Sequence, residues 1–124
     1  MPDPATLPKP QPPQVGAQDP IAVVGAGAWG TALALLVAVK GIPVRLWARR
    51  PEQALAMRLE RQNLEYLPGV VFPEHLHPTA DAEEAFENAQ FVVVAVPSKA
   101  IRETLERLPK APAYVSVTKG LQFS

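Results

Sequence analysis

The chain has 124 residues, no cysteine, and 12 lysines and arginines that balance 12 aspartates and glutamates. This length is enough for one domain with a hydrophobic core but not for two. The zero formal net charge gives no reason to expect nucleic acid or a membrane surface as a partner. A sequence without cysteine excludes disulfides and thiolate chemistry and fits a reducing compartment, so we expect a cytoplasmic location.

Residues 1–20 form a segment of unusual composition, with seven of the fifteen prolines and almost no large apolar side chains. Such a composition predicts a disordered or polyproline-II-like extension in contact with solvent. A ligand for an aromatic, proline-binding groove is the alternative interpretation of the same residues.

A glycine motif follows this segment. Four apolar, β-prone residues at 21–24 lead into Gly25-Ala-Gly27-Ala-Trp-Gly30, and an Ala- and Leu-rich stretch comes next. This order predicts a strand, a tight turn and a helix N-terminus, the context of a dinucleotide-binding turn. Gly25 would permit the sharp turn, Gly27 the approach of a pyrophosphate, and Gly30 close packing of the helix on the strand. The N-terminus of the helix would face the anion.

The same stretch has a competing interpretation, because residues 21–39 carry no charge and are long enough to span a bilayer. The glycine spacing, and a tryptophan near the middle rather than at an interface, argue against a membrane span. The preceding segment has only Lys9 as a cation, which is too little for a secretory leader. Strands covered on both faces in α/β proteins are apolar throughout, so we expect no membrane insertion.

Strand and helix patterns alternate along the rest of the chain. We predict a helix over 28–40 ended by Gly41, a strand over 44–48 and a helix over 51–62. Residues 63–78 are predicted to be a loop-rich stretch with a short strand at 70–71, and a capping box at Asp81 and Glu84 predicts a helix that ends at about 88. A strand over 91–96, a helix over 99–108 and a strand over 114–117 complete the predicted order. This alternation predicts an α/β fold over residues 21–124, a Rossmann-like, doubly wound parallel sheet that is incomplete.

Two arginines stand where the cofactor is usually selected. An acidic residue about twenty positions after the glycines would bind the ribose 2′-hydroxyl of NAD, but this chain has Arg49 and Arg50 there. A guanidinium is a planar, permanent cation that matches a phosphate. We therefore expect NADPH as the preferred cofactor and NADH as the alternative, in which one arginine is solvated and the other stacks on adenine.

Two further positions follow predicted strands, and ligands of open α/β sheets lie beyond the carboxyl ends of the strands. Pro97 and Ser98 follow the strand at 91–96. Contact of Ser98 with the nicotinamide ribose or phosphate, and capping of the next helix by Ser98, are compatible interpretations. Lys119 follows the last strand, where position alone leaves a ligand contact and an ordinary surface lysine both open.

The two histidines of the chain do not indicate a metal site. His75 and His77 lie beside Glu74 in a predicted loop. A metal site would need more ligands in a definable geometry. We therefore expect no metal.

Five motifs together resemble the N-terminal half of the bacterial-type NAD(P)-dependent glycerol-3-phosphate dehydrogenases. In the family's order and spacing they are G-A-G-A-W-G-T-A-L-A at 25–34, L-W-A-R-R at 46–50, N-x-x-Y-L-P-G at 63–69, V-V-V-A-V-P-S at 92–98 and T-K-G-L at 118–121. The last three discriminate far better than the glycine turn. The resemblance covers the chain from about residue 21 to its end and leaves the proline-rich segment outside.

The resemblance implies an oxidoreductase that interconverts dihydroxyacetone phosphate and sn-glycerol 3-phosphate with NAD(P)H, for glycerophospholipid biosynthesis. It implies that Ala28 and Trp29 join the three glycines around the cofactor phosphates. It also implies that Arg49 and Arg50 lie at the adenosine end of the cofactor, and that Lys119 contacts both cofactor and substrate.

One departure from the family is large. The family's helical C-terminal domain carries a catalytic lysine and most of the phosphate-binding residues, and nothing in this chain matches it. We therefore expect these residues alone not to catalyse efficiently, and we expect a homodimer only for a longer protein. An isolated dinucleotide-binding module without catalysis is one alternative. A related hydroxyacid or ketoacid dehydrogenase is another, against which the motifs at 63–69 and 118–121 argue.

Overall fold

The computed structural model describes residues 19–109 and 114–116. In this part of the chain, strands and helices alternate as β1 (Ile21–Val24), α1 (Ala28–Ala38), β2 (Val44–Trp47), α2 (Pro51–Glu60), β3 (Leu76–Thr79), α3 (Ala82–Phe86), β4 (Phe91–Val94), α4 (Ile101–Glu106) and β5 (Tyr114–Ser116). A 3₁₀ turn at Ser98–Ala100 precedes α4. The proline-rich segment up to residue 18, and the C-terminal residues that include Lys119, lie outside the described residues.

Over the described residues the sheet has five parallel strands, in the order β3-β2-β1-β4-β5. The chain moves outward from β1 through β2 to β3, then returns to the other side of β1 for β4 and β5. Parallel neighbours need a crossover connection, and the four helices supply it. The predicted α/β, doubly wound parallel sheet is therefore confirmed.

The hydrophobic core forms two layers, one on each face of the sheet. On one face, side chains of β1 and β2 pack with α1 and α2, as in the cluster of Val23, Leu46, Ala34 and Met57. On the other face, Val24, Val92 and Val94 pack with Ala85 and Phe86 of α3. Because both faces are covered, the central strands are apolar along their whole length.

The uncharged segment 21–39 folds as β1, a turn and α1. Among the described helices none is both long and apolar enough to cross a membrane. The α1 helix ends at Ala38, two residues before the predicted end, and Gly41 follows with a positive φ of 87°. Strand β4 ends at Val94 rather than at residue 96, at the level where the neighbouring β1 turns at Gly25.

The sheet contains a strand that the sequence analysis missed. Residues 63–78 were predicted to be mostly loop with a short strand at 70–71, but the strand is β3, which pairs with β2 from Leu76 to Thr79. Residues 70–71 are not in a strand. The prediction of a loop was therefore wrong at residues 76–79, where Pro78 does not prevent pairing because an edge strand tolerates proline.

Hydrogen bonds show why Pro78 fits. Carbonyl oxygens of alternate β3 residues face outward and accept hydrogen bonds from α2 and the residue after it: Pro78 from Arg58 Nε at 2.8 Å, and Leu76 from Arg61 Nη2 at 2.9 Å. The N–H and C=O of one strand residue point to the same side, so the missing N–H of Pro78 faces away from β2.

The predicted start of α3 is confirmed, with one difference. The Asp81 carboxylate accepts hydrogen bonds from the backbone N–H groups of Glu83 (3.0 Å) and Glu84 (3.3 Å). The N–H of Asp81 donates to Thr79 Oγ1 at 3.0 Å, so the reciprocal half of the predicted capping box does not form. The Glu84 carboxylate instead faces Arg58 and His77.

Candidate functional site

The carboxyl ends of β1, β2 and β4 bring the predicted site segments to one edge of the sheet. The N–H of Gly25, directly after β1, donates to the carbonyl of Trp47 at 3.0 Å. The N–H of Ala95, directly after β4, donates to the carbonyl of Val24 at 2.8 Å. The glycine turn therefore lies between the segment that leads to Arg49 and Arg50 and the segment that leads to Pro97 and Ser98.

Two of the three glycines are required by packing. Gly25 has a φ of 112°, and a Cβ there would lie 2.6 Å from the carbonyl oxygen of Ala95. A Cβ at Gly30 would overlap the carbonyl oxygen of Gly25. The N-terminus of α1 therefore lies directly against the turn, as the glycine spacing predicts.

Gly27 has a different environment. Its φ is −79°, which any residue adopts, and apart from Gly27 itself and its two chain neighbours no residue has an atom within 4 Å of the position that a Cβ would occupy. Gly27 is the N-cap of α1, and no side chain caps this helix or places a carboxylate in its first turn. The first N–H groups of a helix have no intrahelical acceptor, so this open cradle fits a pyrophosphate. Ala28 and Trp29 are exposed in the same turn.

A buried amide cluster, made of Gln53, Asn63, Thr31 and the carbonyl of Ala26, lies behind the turn. Asn63 Nδ2 donates to the Ala26 oxygen at 2.9 Å and to Thr31 Oγ1 at 2.8 Å. Gln53 Nε2 donates to the same Ala26 oxygen at 2.9 Å. Neither amide was predicted from the sequence to have a role, although Asn63 opens the motif at 63–69, which was the available signal.

Arg50 lies at the carboxyl end of β2, as predicted, but it is paired. Its Nη2 donates to both carboxylate oxygens of Glu65 at 2.7 Å, and Glu52 lies 3.6 Å from Nη1. The hydrogen bond to Glu65 raises the pKa of Arg50 above its ordinary value. Arg49 is exposed. Arg50, Glu65, Gln53 and Asn63 line a cleft of about 360 Å³ beside the turn.

Of the remaining residues named in the sequence analysis, those that the structure describes do not line this cleft. Pro97 is exposed, and its carbonyl accepts a hydrogen bond from the N–H of Ala100 at 2.8 Å, which closes the 3₁₀ turn that Ser98 begins. Lys119 lies outside the described residues. His77 is on β3 rather than in a loop, with its Nε2 2.9 Å from Arg58 Nη2. Over residues 19–109 and 114–116, no group of three or more potential ligands could hold a metal ion.

Comparison with known proteins agrees with this fold. Residues 20–124 match the family model described as the N-terminus of NAD-dependent glycerol-3-phosphate dehydrogenase. The chain is 63% identical over 103 residues to a glycerol-3-phosphate dehydrogenase (NAD(P)+) of Thermus thermophilus, covering 83% of this chain and 32% of that protein. It is 50% identical over 110 residues to the corresponding Moorella thermoacetica protein, with 86% and 33% covered.

A solved structure shows the same likeness. The crystal structure of glycerol-3-phosphate dehydrogenase from Coxiella burnetii superposes with a TM-score of 0.72 at 36% identity, over 79% of this chain and 32% of that chain. The present chain thus spans about a third of the length of the curated relatives that it matches. On the match over residues 20–124, the chain belongs to the family of N-terminal, NAD-binding domains of the glycerol-3-phosphate dehydrogenases.

Proposed function

We propose that this chain holds the cofactor of a cytoplasmic oxidoreductase that interconverts dihydroxyacetone phosphate and sn-glycerol 3-phosphate with NAD(P)H, in glycerophospholipid biosynthesis. The observation that carries the proposal is the open backbone at Gly27, at the N-terminus of α1, in a chain of this family. An anion at this position meets unpaired N–H groups and the positive end of the helix dipole.

Each residue of the turn has a separate role in the proposal. Gly25 and Gly30 give the turn its shape, and Gly27, with the N–H groups of Ala28 and Trp29, receives the pyrophosphate. The nicotinamide, when bound, supplies the hydride that reduces the ketone carbon. Pro97 and Ser98 border the cofactor on the side of β4 because ligands of this fold lie beyond the carboxyl ends of the strands.

We assign the substrate contact to Lys119. An ammonium at this position would polarise the ketone and stabilise the negative charge that develops on its oxygen as the hydride arrives. The family resemblance of the motif at 118–121 supports this role. Position in the sequence, directly after a strand end, is consistent with it.

A chimera tests the substrate proposal. Residues 20–124 replace the matching N-terminal third of the Thermus thermophilus relative, and oxidation of NADPH is followed at its absorbance with dihydroxyacetone phosphate. We expect turnover, and we expect Lys119→Met in the chimera to abolish turnover while NADPH still binds. A chimera that binds NADPH but does not oxidise it with dihydroxyacetone phosphate contradicts the proposal, and the unaltered relative is the positive control.

For the cofactor, we propose that NADPH binds more tightly than NADH because Arg49 and Arg50 meet the 2′-phosphate. The pairing of Arg50 with Glu65 does not prevent this, since an exposed ion pair is worth little and the arginine can exchange one anion for another. Glu65 nevertheless lowers the preference for NADPH over NADH, because its carboxylate would repel the 2′-phosphate.

Titration of both cofactors into the 124-residue chain tests the preference. We expect Arg50→Asp to weaken NADPH binding more than NADH binding, and Glu65→Gln to increase the preference for NADPH. Arg107→Asp is the matched control, since Arg107 is an exposed arginine at the C-terminus of α4. Equal affinity of the wild-type chain for NADH and NADPH would refute the arginine argument.

A further inference from the structure

We propose that Gln53 and Asn63 are positioning residues for the phosphate site. They hold the peptide group between Ala26 and Gly27 in the orientation that presents the Gly27 N–H to a pyrophosphate. This inference rests on the proposed function, because it concerns the same cofactor. Neither side chain needs to contact the cofactor in order to orient this peptide group.

Both lone pairs of the Ala26 carbonyl oxygen are occupied by hydrogen bonds. A carbonyl oxygen has two lone pairs, and here two amide groups donate to it, Gln53 Nε2 and Asn63 Nδ2, each at 2.9 Å. The two donors come from different places in the chain, the first turn of α2 and the loop that follows α2. Two independent donors restrict rotation of this peptide more than one would.

The peptide bond between Ala26 and Gly27 is planar and trans. In a trans peptide the C=O and the N–H point in opposite directions. Hydrogen bonds that direct the Ala26 oxygen towards Gln53 and Asn63 therefore direct the Gly27 N–H away from them. Gly27 is the residue of the turn with open space at its Cβ position, so the freed N–H belongs to the residue that a ligand can approach.

Asn63 is itself held in place by further hydrogen bonds. Its side chain is buried, with 1% of the residue exposed, and its second donor bond goes to Thr31 Oγ1 in α1 at 2.8 Å. Its Oδ1 accepts from the N–H of Tyr66 at 3.2 Å, and its carbonyl accepts from the N–H of Leu67 at 2.7 Å. The bonds of its Nδ2 group to Ala26 and Thr31 are buried, so water does not compete for them, and they join the residue that opens the loop at 63–67 to the glycine turn and α1.

A glutamine pair gives a matched test. Gln53→Met removes the donor to Ala26 but keeps the side-chain length and leaves Asn63 in place. Gln90→Met is the control, because Gln90 Nε2 donates to the carbonyl of Asp19 at 2.8 Å, is also partly buried, and precedes β4 at the opposite edge of the sheet. Dissociation constants are measured for NADPH and for adenosine 2′-monophosphate, which has the 2′-phosphate but no pyrophosphate.

We expect Gln53→Met to weaken NADPH binding about five- to tenfold, the worth of one hydrogen bond, and adenosine 2′-monophosphate binding less than twofold. Gln90→Met should change neither. The cofactor-induced amide shift of Gly27 in ¹H–¹⁵N spectra should shrink in Gln53→Met and persist in Gln90→Met. Asn63→Ser should give the larger loss for NADPH, and the milder Gln53 variant decides the question if that protein does not fold.

Three results separate the hypotheses. Unchanged NADPH affinity in Gln53→Met overturns the positioning role and leaves the proposed function intact. Equal weakening of both ligands also overturns it, because loss of folded protein would act on both alike. Failure of the wild-type chain to bind NADPH overturns the proposed function together with this inference.

Discussion

Two polar clusters of similar size hold loops to this sheet, and they do so by different physics. The buried amide cluster of Gln53, Asn63, Thr31 and the Ala26 carbonyl is neutral, and it lies at the carboxyl edge behind the glycine turn. Thr31 is 0% and Asn63 1% exposed. Because no charge has to be removed from water, Thr31 and Asn63 can be fully buried once their polar groups are hydrogen-bonded, whereas Gln53 is partly buried.

The exposed charged cluster is the ion pair of Arg58 and Glu84 together with the neighbouring imidazole of His77, and it lies at the outer edge of the sheet, at β3. Arg58 Nη2 is 3.2 Å from the Glu84 carboxylate, and His77 Nε2 is 3.5 Å from it. These side chains remain more than two-fifths exposed. Charges keep their hydration, so the pairs contribute little and respond to salt and pH. The neutral cluster therefore determines the geometry of the glycine turn, whereas the charged cluster only attaches the edge strand β3 to α2.

The largest expected effect concerns the tightness of the turn that the amide cluster supports. Alanine normally stabilises a helix relative to glycine, but Gly30→Ala would place a Cβ against the Gly25 carbonyl. We expect a loss of about 3 kcal/mol in the free energy of unfolding, measured with urea. Gly27→Ala is the matched variant, with a loss of about 1 kcal/mol or less and no cofactor binding. Equal losses for the two variants would contradict the packing difference.

Asn63→Ala should have the next largest effect on stability. It leaves the Tyr66 N–H and the Thr31 hydroxyl without their partner and opens a small cavity. We expect a loss of about 2–3 kcal/mol in the free energy of unfolding, with little dependence on salt. A loss under about 0.5 kcal/mol would mean that the amide cluster does not hold the turn.

Arg58→Met should have a smaller effect, because the methionine keeps the apolar stem and removes only the guanidinium. We expect a loss of about 1 kcal/mol in the free energy of unfolding at low salt, since the pair with Glu84 is exposed and the bond to the Pro78 carbonyl is partly buried. The loss should shrink at about 1 M salt, where charges are screened. A salt-independent loss as large as that of Asn63→Ala would remove the contrast between the clusters.

The smallest effect is the pH dependence of Glu84. A hydrogen bond from Thr79 lowers the pKa of Glu84 below its ordinary value of 4.5, and His77 and Arg58 lower it further. The stabilisation is therefore fully present above about pH 4.5 and is lost as the pH falls through the folded-state pKa. Glu84→Gln should reduce the stability at neutral pH slightly and flatten the acid side of the stability profile. A steeper acid side in the variant would show that the sign is wrong.

Local pattern was sufficient for much of the fold and part of the site. The apolar run at 21–24 with its three glycines predicted β1, the turn and α1, because each signal involves neighbours in the chain. The position of Arg50 at the end of β2 followed from the same alternation. Asp81 was predicted as the cap of α3 from its spacing to Glu84, and only the reciprocal contact failed to form.

The sequence by itself therefore determined the parallel α/β architecture, the open glycine turn and the place of the arginines, since periodicity and turn chemistry act over a few residues. Only the tertiary structure decided that β3 forms at the edge with Pro78 turned outward, that Glu65 reaches Arg50, and that Asn63 and Gln53 converge on Ala26. These contacts join residues 15 to 37 positions apart. No local pattern encodes which distant donor will meet a given carbonyl, because packing of the helices on the sheet decides it.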